Sequence, residues 1–254
     1  MLKDISDTAV WAALYRARET ERRDAVFEDP YAARLAGARG EAVARAMADA
    51  DRYAWALVAR TWLFDRFIER AVAAGARSVL NLGAGLDARP YRMKLPADLR
   101  WVEADLAPIL KYKETVLRGD RPNCRLERMA LDLRKEAVPR GFDLVISEGL
   151  VVYLEREEVT ALARQLEGIW LVDICSPGLA KLMQASVNVP FKFAPPEGPL
   201  FFEGWRAEVR SVLQAGRKLG RLNWANRLLS YFPESSGRQG WRPWTGVCRL
   251  ERQS

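Results

Sequence analysis

The chain has 254 residues, of which 49% are hydrophobic and 29% are charged, and its formal net charge at pH 7 is +7. This composition is that of a folded globular protein and excludes an intrinsically disordered chain. The sequence contains no histidine, which removes the commonest metal ligand, the commonest general base and every nucleophile that a neighbouring histidine would activate. We therefore expect no metal site.

The sequence favours a cytoplasmic protein with no membrane partner. Its start, MLKDISDTAV, lacks the apolar segment of a signal peptide, and no run of residues approaches the ~20 apolar residues that a membrane span needs. The three cysteines, Cys124, Cys175 and Cys248, are far apart, as is typical of buried, reduced thiols. The arginines that supply the positive charge are spread along the chain, so we expect no nucleic-acid partner. The oligomeric state is not indicated.

The chain begins with a segment that predicts helices only. Ser6 or Asp7 is suited to cap a first helix, whose apolar residues recur at helical spacing. The Asp29-Pro30 pair predicts the start of a short second helix at Tyr31, and further helices are expected at about 41–48 and 52–74. We expect residues 1–75 to form a helical cap or lid over residues 76–254, within one domain. The apolar residues of the first helix are Ala9, Val10, Ala13, Leu14 and Ala17.

From residue 78 onwards, short apolar runs alternate with helical stretches. Helical stretches at 107–118 and 156–167 separate some of these runs, and a βαβα order predicts a parallel sheet with right-handed crossovers. The expected fold is therefore α/β, with a doubly wound, mostly parallel, Rossmann-like sheet and N-terminal capping helices. The apolar runs, each interpreted as a strand, are 78–82, 100–104, about 125–131, 142–146 and 169–174.

After about residue 190 the pattern is interrupted by prolines and aromatic residues. We interpret this region as a substrate-side insertion near 187–230, with helices near 203–215 and 221–230. The tail from Trp241 to Arg252 alternates enough to predict a closing strand. The residues that interrupt the pattern are Pro190, Pro195, Pro196 and Pro199 together with Phe191, Phe193, Phe201 and Phe202.

The first predicted strand, SVLNL, ends abruptly at the glycine turn Gly83-Ala84-Gly85, after which a helix-compatible segment resumes. Glycines let the backbone turn sharply and let a ligand approach it closely. Strand, glycine turn and helix together are typical of the nucleotide-binding corner of a doubly wound sheet. By itself, the turn is equally compatible with a tight connection that binds nothing.

Carboxylates follow the next three predicted strands: Asp105, Asp132 and Glu148. Each alone could be a helix cap, but ligands of open α/β sheets bind where the strands end. S-adenosylmethionine suits such carboxylates because it carries a sulfonium and an ammonium, whereas a dinucleotide's phosphates prefer basic groups and helix N-termini. Since residues 83–88 fit G-x-G-x-x-A, an NAD(P)-dependent oxidoreductase remains an alternative. Two further alternatives are a nucleic-acid methyltransferase and a binding protein of this fold that has no catalytic activity.

Several stretches of the sequence resemble the leucine carboxyl methyltransferase family, including its bacterial polyketide O-methyltransferase branch. The members of this family are class I S-adenosylmethionine-dependent enzymes. The resemblance extends from about residue 5 to 175 in the family's order and spacing. It implies a methyltransferase that uses S-adenosylmethionine to methylate a carboxylate or hydroxyl oxygen of a small-molecule acceptor. The stretches are SDTAVWAALYRARETERRDAVFEDPYAARLAG, ARTWLFDRFI, VLNLGAGLDARPYRM, WVEADLAPILKYKETVL and DLVISEGLVVYLEREEV.

The resemblance also implies the cofactor-binding residues. Arg60 would bind the methionine carboxylate, which suits a bidentate guanidinium, and Asp105 would bind the ribose hydroxyls. Arg16 would reach the cofactor or the acceptor from the lid, with Arg18 as a rival. The remaining assignments are Gly83, Ala84 and Gly85 at the methionine and ribose, Asp132 with Leu133 at the adenine, and Glu148 beside the methionine end.

Two residues, Glu148 and Tyr153, are the candidates for a catalytic role near the reacting centre. A chain without histidine suits carboxyl methylation better than phenol methylation, because a carboxylate is already ionised at neutral pH. For a phenol, Glu148 or a tyrosine could accept the proton. We expect the acceptor to enter between the N-terminal helices and residues 187–206, whose phenylalanines would supply apolar walls.

Overall fold

The computed structural model describes residues 5–46, 50–187, 191–232 and 242–253. Pro190 and Trp241 lie outside the described residues. The helices are α1 Ile5–Thr20, α2 Ala32–Ala46, α3 Ala54–Ala73, α4 Arg89–Arg92, α5 Ala107–Val116, α6 Arg156–Gln165, α7 Pro177–Val187, α8 Val212–Lys218 and α9 Trp224–Leu229. The strands are β1 Ser78–Leu82, β2 Arg100–Asp105, β3 Arg125–Ala130, β4 Leu144–Ser147, β5 Ile169–Cys175, β6 Trp205–Ser211 and β7 Thr245–Arg252.

The seven strands form one sheet in the order β3-β2-β1-β4-β5-β7-β6. Strands β1 to β5 are parallel to one another, whereas β7 is antiparallel to both β5 and β6. Strand β1 is central and almost fully buried, as expected for a short apolar run covered on both faces. The predicted α/β class and the mostly parallel sheet are confirmed.

The order of the strands determines where the predicted carboxylates lie. Strand β1 pairs with β2 on one side and β4 on the other, with Leu82 opposite Ala104 and Asn81 opposite Ile146. The glycine turn, Asp105 and Glu148 therefore follow three adjacent parallel strands at the same edge. Between β1 and β4 the order of the strands in the sheet reverses, and doubly wound sheets bind ligands at such a point.

The N-terminal segment is helical, as the sequence predicts, with one difference at its start. Helix α1 includes Ser6 and Asp7, so these residues lie inside the helix and not at its N-cap. Asp29 does begin the next element: its Oδ1 accepts a hydrogen bond from the Tyr31 backbone N–H at 3.2 Å. The two short helices expected after it are the two halves of α2, joined across a kink at Gly37, which has a φ of 53°. Among the described residues, no helix has the length and apolarity needed to cross a membrane.

The C-terminal region corrects one prediction and adds one helix. Residues 205–211, expected within a helix at 203–215, form strand β6 and pair with β7, Trp205 lying opposite Arg252. The alternation of apolar and polar residues in WRAEVRS has the period of a strand, and its partner β7 lies far away in sequence. Helix α7, at 177–187, was not predicted. The closing strand is present as Thr245–Arg252.

Candidate functional site

A cavity of about 1160 Å³ opens at the edge of the sheet where β1, β2 and β4 end. Residues from the helical cap, from the strand ends and from α7 and α9 all contribute to its lining. Its size exceeds the ~300–1,000 Å³ that is usual for a small-molecule site. The sequence-predicted site residues that line it are Arg16, Arg60, Gly83, Ala84, Gly85, Asp105, Asp132, Leu133, Glu148 and Tyr153.

The glycine turn has the backbone conformation that its sequence predicts. Gly83 and Gly85 have φ values of 62° and 47°, which L side chains rarely adopt. The Gly83 N–H donates to the Ala104 carbonyl at 2.8 Å, which ties the turn to β2. A Cβ at residue 83 would lie 2.9 Å from Cδ1 of Leu150. The backbone conformation therefore favours glycine here, and any side chain would also require Leu150 to shift.

Asp105 holds the same turn from the end of β2. Its Oδ2 accepts from the Gly85 N–H and its Oδ1 from the Leu106 N–H, each at 2.7 Å. Burial raises the pKa of Asp105, although these two backbone N–H groups act in the opposite direction. Each oxygen has a further lone pair, so the carboxylate can accept hydroxyl groups of a ribose as well as the backbone. The sequence does not reveal that one carboxylate can both hold the glycine turn and accept ribose hydroxyls.

Arg60, on α3, lies between two carboxylates at the sheet edge. Its Nε donates to Oε1 of Glu148 at 3.0 Å and its Nη1 to Oδ2 of Asp173 at 3.2 Å. Burial disfavours the charge of Arg60, but Asp173 and Glu148 outweigh burial and raise the pKa of the guanidinium. Gly149 allows this approach, because a Cβ there would lie 3.3 Å from both terminal nitrogens of Arg60.

Arg89 is a central residue of the site that sequence reasoning missed. It follows the glycine turn on the four-residue helix α4, and its side chain is 2% exposed. Its guanidinium contacts Asp65 at 2.7 Å, Asp87 at 2.9 Å and Glu148 at 2.8 Å. Although burial acts in the opposite direction, Arg89 is the main cause that lowers the pKa of Asp87 well below its ordinary value. The arginine stands within the family-like stretch GLDARPYRM, but its partners are distant in sequence.

Asp173, in the middle of β5, was also missed. Its side chain is 7% exposed, and besides Arg60 it binds the Gly149 N–H through Oδ1 at 2.6 Å. Burial raises the pKa of Asp173, although Arg60 and the Gly149 N–H oppose this effect. The only sequence signal was a single acidic residue in an apolar strand, LVDIC.

Of the two rival arginines on α1, Arg16 lines the cavity and Arg18 does not. Arg16 is buried and lines the cavity, with its Nη2 donating to the Leu86 carbonyl at 2.6 Å and its Nε to Asp29 at 2.8 Å. Arg18 is half-exposed, pairs with Asp51 at 2.8 Å and is not among the residues that line the cavity. Arg16 therefore connects the cap to the segment that follows the glycine turn.

Asp132 and Leu133 line the cavity beyond the end of β3. The Asp132 Oδ1 accepts from the Arg134 N–H at 3.1 Å, and its Oδ2 is 3.0 Å from the Lys135 ammonium. Lys135 lowers the pKa of Asp132 most, and the hydrogen bond from the Arg134 N–H acts in the same direction. Asp132 thus caps the turn and also faces the cavity, so the two roles that the sequence leaves open are compatible.

Only one of the four phenylalanines expected to wall the acceptor pocket clearly does so. Phe191 lines the cavity, and its ring lies 5.7 Å from that of Tyr153, edge to face. Phe193 is 1% exposed and packs against Phe201 at 4.8 Å, between ring centroids. Phe193, Phe201 and Phe202 belong to the hydrophobic core around Trp170, because the chain after residue 191 turns inward to cover the sheet. The expectation that they wall the pocket was wrong.

The donors and acceptors of the cavity fit S-adenosylmethionine. Arg60 offers a guanidinium for a carboxylate, Asp105 offers a carboxylate for a diol, and the glycine turn leaves room for close approach. Asp173 and Glu148 add negative charge, which suits a ligand with a sulfonium and an ammonium. Among the described residues, no cluster suited to hold a metal ion is present.

Comparisons with known proteins agree with this fit. The model of the family described as leucine carboxyl methyltransferase matches residues 9–167. A protein of Streptomyces coelicolor, named as an S-adenosyl-L-methionine-dependent methyltransferase, is 36% identical over 253 aligned residues that cover 84% of this chain and 87% of that protein. A Streptomyces avermitilis protein with the same description is 32% identical, with the same coverage.

Solved structures support the fold. A protein of the DUF574 family from Streptomyces avermitilis superposes with a TM-score of 0.55 at 16% identity, covering 94% of this chain and 97% of that one. The S-adenosylmethionine-dependent methyltransferase SibL, in its apo form, gives a TM-score of 0.52 at 16% identity, covering 97% of this chain and 70% of that one. With the family model spanning more than half of its length, this chain belongs to the leucine carboxyl methyltransferase family and is a methyltransferase that depends on S-adenosylmethionine.

Proposed function

We propose that this methyltransferase transfers the methyl group to an oxygen of a small-molecule acceptor, and that the oxygen belongs to a carboxylate. A hydroxyl group is the second candidate. Family membership sets aside the NAD(P)-dependent oxidoreductase alternative. The observation that carries the proposal is the surroundings of the two candidate catalytic residues: Glu148 contacts two arginines and Tyr153 is buried.

Glu148 is engaged at both oxygens. Oε1 accepts from Arg60 at 3.0 Å and Oε2 lies 2.8 Å from Nη2 of Arg89. Because both oxygens already lie against guanidiniums, Glu148 is poorly placed to remove a proton from an acceptor hydroxyl. We therefore propose that Glu148 positions the two arginines and is not a general base.

Tyr153 lines the cavity but is not a base either. Burial raises its pKa above the ordinary value for a phenol, so the hydroxyl stays protonated at neutral pH. The chain also has no histidine, so neither the usual general base nor the two candidate catalytic residues serve a protonated acceptor. A carboxylate acceptor needs none, because it is already ionised near neutral pH.

The chemistry then depends on position. S-adenosylmethionine, when bound, supplies an electrophilic methyl group, and the protein has to hold the acceptor oxygen in line with it and exclude water. Correct positioning of reactants is worth roughly 7–11 kcal/mol of barrier. The side chains proposed to hold the cofactor are Arg60, Asp105 and the backbone of residues 83–85, with Asp132 and Leu133 at the adenine.

The apolar part of the cavity is where we place the acceptor. Tyr153, Phe191, Leu179, Met183 and Trp244 line it, so one cavity combines charged cofactor groups with an apolar wall of the kind that small molecules prefer. We propose that the acceptor enters between the N-terminal helices, acting as a lid, and the segment that contains Phe191. Arg16 would hold the lid in place through Leu86.

The test is a matched panel of acceptors incubated with the enzyme and S-adenosylmethionine. Each set contains an aromatic or alkyl carboxylic acid, the corresponding alcohol or phenol, and the corresponding amine, and mass spectrometry detects the added methyl group. We expect methyl esters, which mild base hydrolyses, and a slower reaction of the Asp105→Ala variant at limiting S-adenosylmethionine. Methylation of the amines alone, or of phenols in preference to acids, would contradict the proposal.

A further inference from the structure

The two carboxylates beside Arg60 differ in how well they are compensated. Glu148 contacts two guanidiniums, those of Arg60 and Arg89. Asp173 contacts a single cation among the described residues, Arg60, and at the longer distance of 3.2 Å. Asp173 is the less compensated carboxylate, and its side chain is 7% exposed against 15% for Glu148. Burying an ionised carboxylate without a full partner is costly.

Arg60 also has unused capacity. A guanidinium carries five N–H donors, and Glu148 and Asp173 take one each. Within the part of the chain that the structure describes, three N–H donors of Arg60 therefore remain without a protein acceptor. All three lie on the terminal nitrogens, where a bidentate carboxylate contact forms.

These two properties together define the ligand. A simple carboxylate brought to Arg60 would meet two further negative charges, on Glu148 and Asp173. A ligand that carries an ammonium next to its carboxylate removes this conflict, because the ammonium can lie against Asp173. The amino-acid end of S-adenosylmethionine is such a zwitterion.

We propose that Asp173 binds the α-ammonium group of the cofactor, beside Arg60, which takes the carboxylate of the same amino-acid end. The Gly149 N–H fixes the Asp173 carboxylate through Oδ1 at 2.6 Å, leaving Oδ2 on the side of Arg60. This inference rests on the proposed role of Arg60. It adds a residue from β5 to the site and gives a reason for a carboxylate in an otherwise apolar strand.

The experiment compares three ligands by calorimetry, with S-adenosylhomocysteine as the reference. The second ligand is its analogue with hydrogen in place of the α-amino group, and the third is 5′-methylthioadenosine, which lacks the amino-acid end altogether. In the Asp173→Asn variant we expect the affinity for S-adenosylhomocysteine to fall by about 10- to 100-fold, the usual effect of losing a hydrogen bond to a charged group. The affinity for 5′-methylthioadenosine should stay within about twofold of wild type. That for the desamino analogue should stay level or rise, because its carboxylate no longer meets the charge of Asp173.

Two further variants separate recognition from structural damage. Asp143→Asn changes an aspartate at the opposite edge of the sheet, where β1 and β4 begin. Asp143 accepts hydrogen bonds from the backbone N–H groups of Arg77 and Ser78, and its replacement should leave all three affinities unchanged. Asp173→Glu keeps the charge and should retain part of the preference for S-adenosylhomocysteine over the desamino analogue. Binding of 5′-methylthioadenosine reports in each variant that the cavity is folded.

The possible results are distinct. Equal losses for S-adenosylhomocysteine and the desamino analogue in Asp173→Asn would overturn the proposal, since Asp173 would then act only by holding Arg60. No loss for any ligand would overturn it as well. A wild-type protein that binds 5′-methylthioadenosine but shows no preference for S-adenosylhomocysteine would overturn the proposed role of Arg60 together with that of Asp173.

Discussion

The Nε of Arg60 lies 3.0 Å from Oε1 of Glu148, a residue 88 positions further along the chain. This contact joins the helical cap to the edge of the sheet at which the cofactor residues lie. Glu148 extends the connection to Arg89, and Arg89 extends it to Asp65 and Asp87. A continuous series of largely buried ion pairs therefore connects the cap to the sheet. Four of its residues, Arg60, Asp87, Arg89 and Glu148, also line the cavity.

This series of ion pairs predicts that replacing Arg89 lowers the free energy of unfolding substantially. Replacement by methionine leaves three carboxylates, on Asp65, Asp87 and Glu148, without this partner, and breaking a buried ion pair from one side costs about 3–5 kcal/mol. Urea unfolding should show this loss. The matched control is Arg100→Met, since the Arg100–Glu127 pair is half-exposed on both sides and such pairs contribute ~1 kcal/mol or less. Equal losses in the two variants would contradict a structural role for the network.

Acid should weaken the same network. Arg92 and Arg89 lower the pKa of Asp65 in spite of its burial, and Arg89 lowers that of Asp87. A carboxyl group whose pKa is lower in the folded state stabilises the fold above its ordinary pKa of about 4, and this contribution is lost as the pH falls further. The melting temperature of wild type should therefore drop between pH 5 and pH 3 more steeply than that of Arg89→Met. Parallel curves would exclude the lowered pKa values as the cause.

Arg60→Lys tests the cofactor carboxylate. Lysine keeps the charge but loses the planar fork, so we expect the affinities for S-adenosylmethionine and S-adenosylhomocysteine to fall by a similar factor, about 10-fold or more. Calorimetry measures both. Arg66→Lys, on the same helix but exposed and paired with Glu69, is the control and should change neither affinity. A loss confined to the methylated form would show that Arg60 senses the sulfonium instead.

Asp105→Asn tests the ribose contact. We expect it to weaken binding of 5′-methylthioadenosine, which retains the ribose, by about 1–3 kcal/mol. The melting temperature should also fall slightly, because Asp105 holds the Gly85 and Leu106 N–H groups. Asp132→Asn provides the comparison, since Asp132 is more exposed and is partnered by Lys135; its effect on affinity should be smaller. Unchanged binding in Asp105→Asn would remove Asp105 from the site.

The part of the site that could be predicted from sequence consists of residues at strand ends. The glycine turn and the carboxylate at 105 follow short apolar runs, and parallel strands bring such ends to one edge whatever the details of packing. Arg89 and Asp173 could not be found in this way. Each is a single charged residue whose meaning depends on partners from other elements, such as Asp65 for Arg89 and Arg60 for Asp173.

The remaining differences have similar causes. Arg16 and Arg18 are two residues apart on α1, so they point about 200° apart around the helix, and only packing decides which one faces the cavity. Residues 205–211 carry arginine, alanine and glutamate, which are compatible with a helix. Their alternation also fits a strand, and pairing with β7 makes them one. Such tertiary pairing overrides local preference.

Phe191 and Phe193 offer the sharpest test of where the acceptor binds, because they are two residues apart and have different surroundings. Phe191 lies against Tyr153 in the cavity, whereas Phe193 is 1% exposed and packs among Phe201, Phe202 and the core. Phe191→Ala should raise the acceptor KM several-fold with little change in melting temperature or in affinity for S-adenosylhomocysteine.

Phe193→Ala should do the reverse. Truncating a buried phenylalanine costs about 3–5 kcal/mol, so the melting temperature should fall markedly while the acceptor KM of the folded fraction stays near wild type. Steady-state kinetics below the melting temperature, with an acceptor found in the matched panel, measure the first effect and calorimetric melting the second. If Phe191→Ala instead lowered stability and left acceptor KM unchanged, the acceptor would have to bind elsewhere in the cavity, against α7 and Trp244.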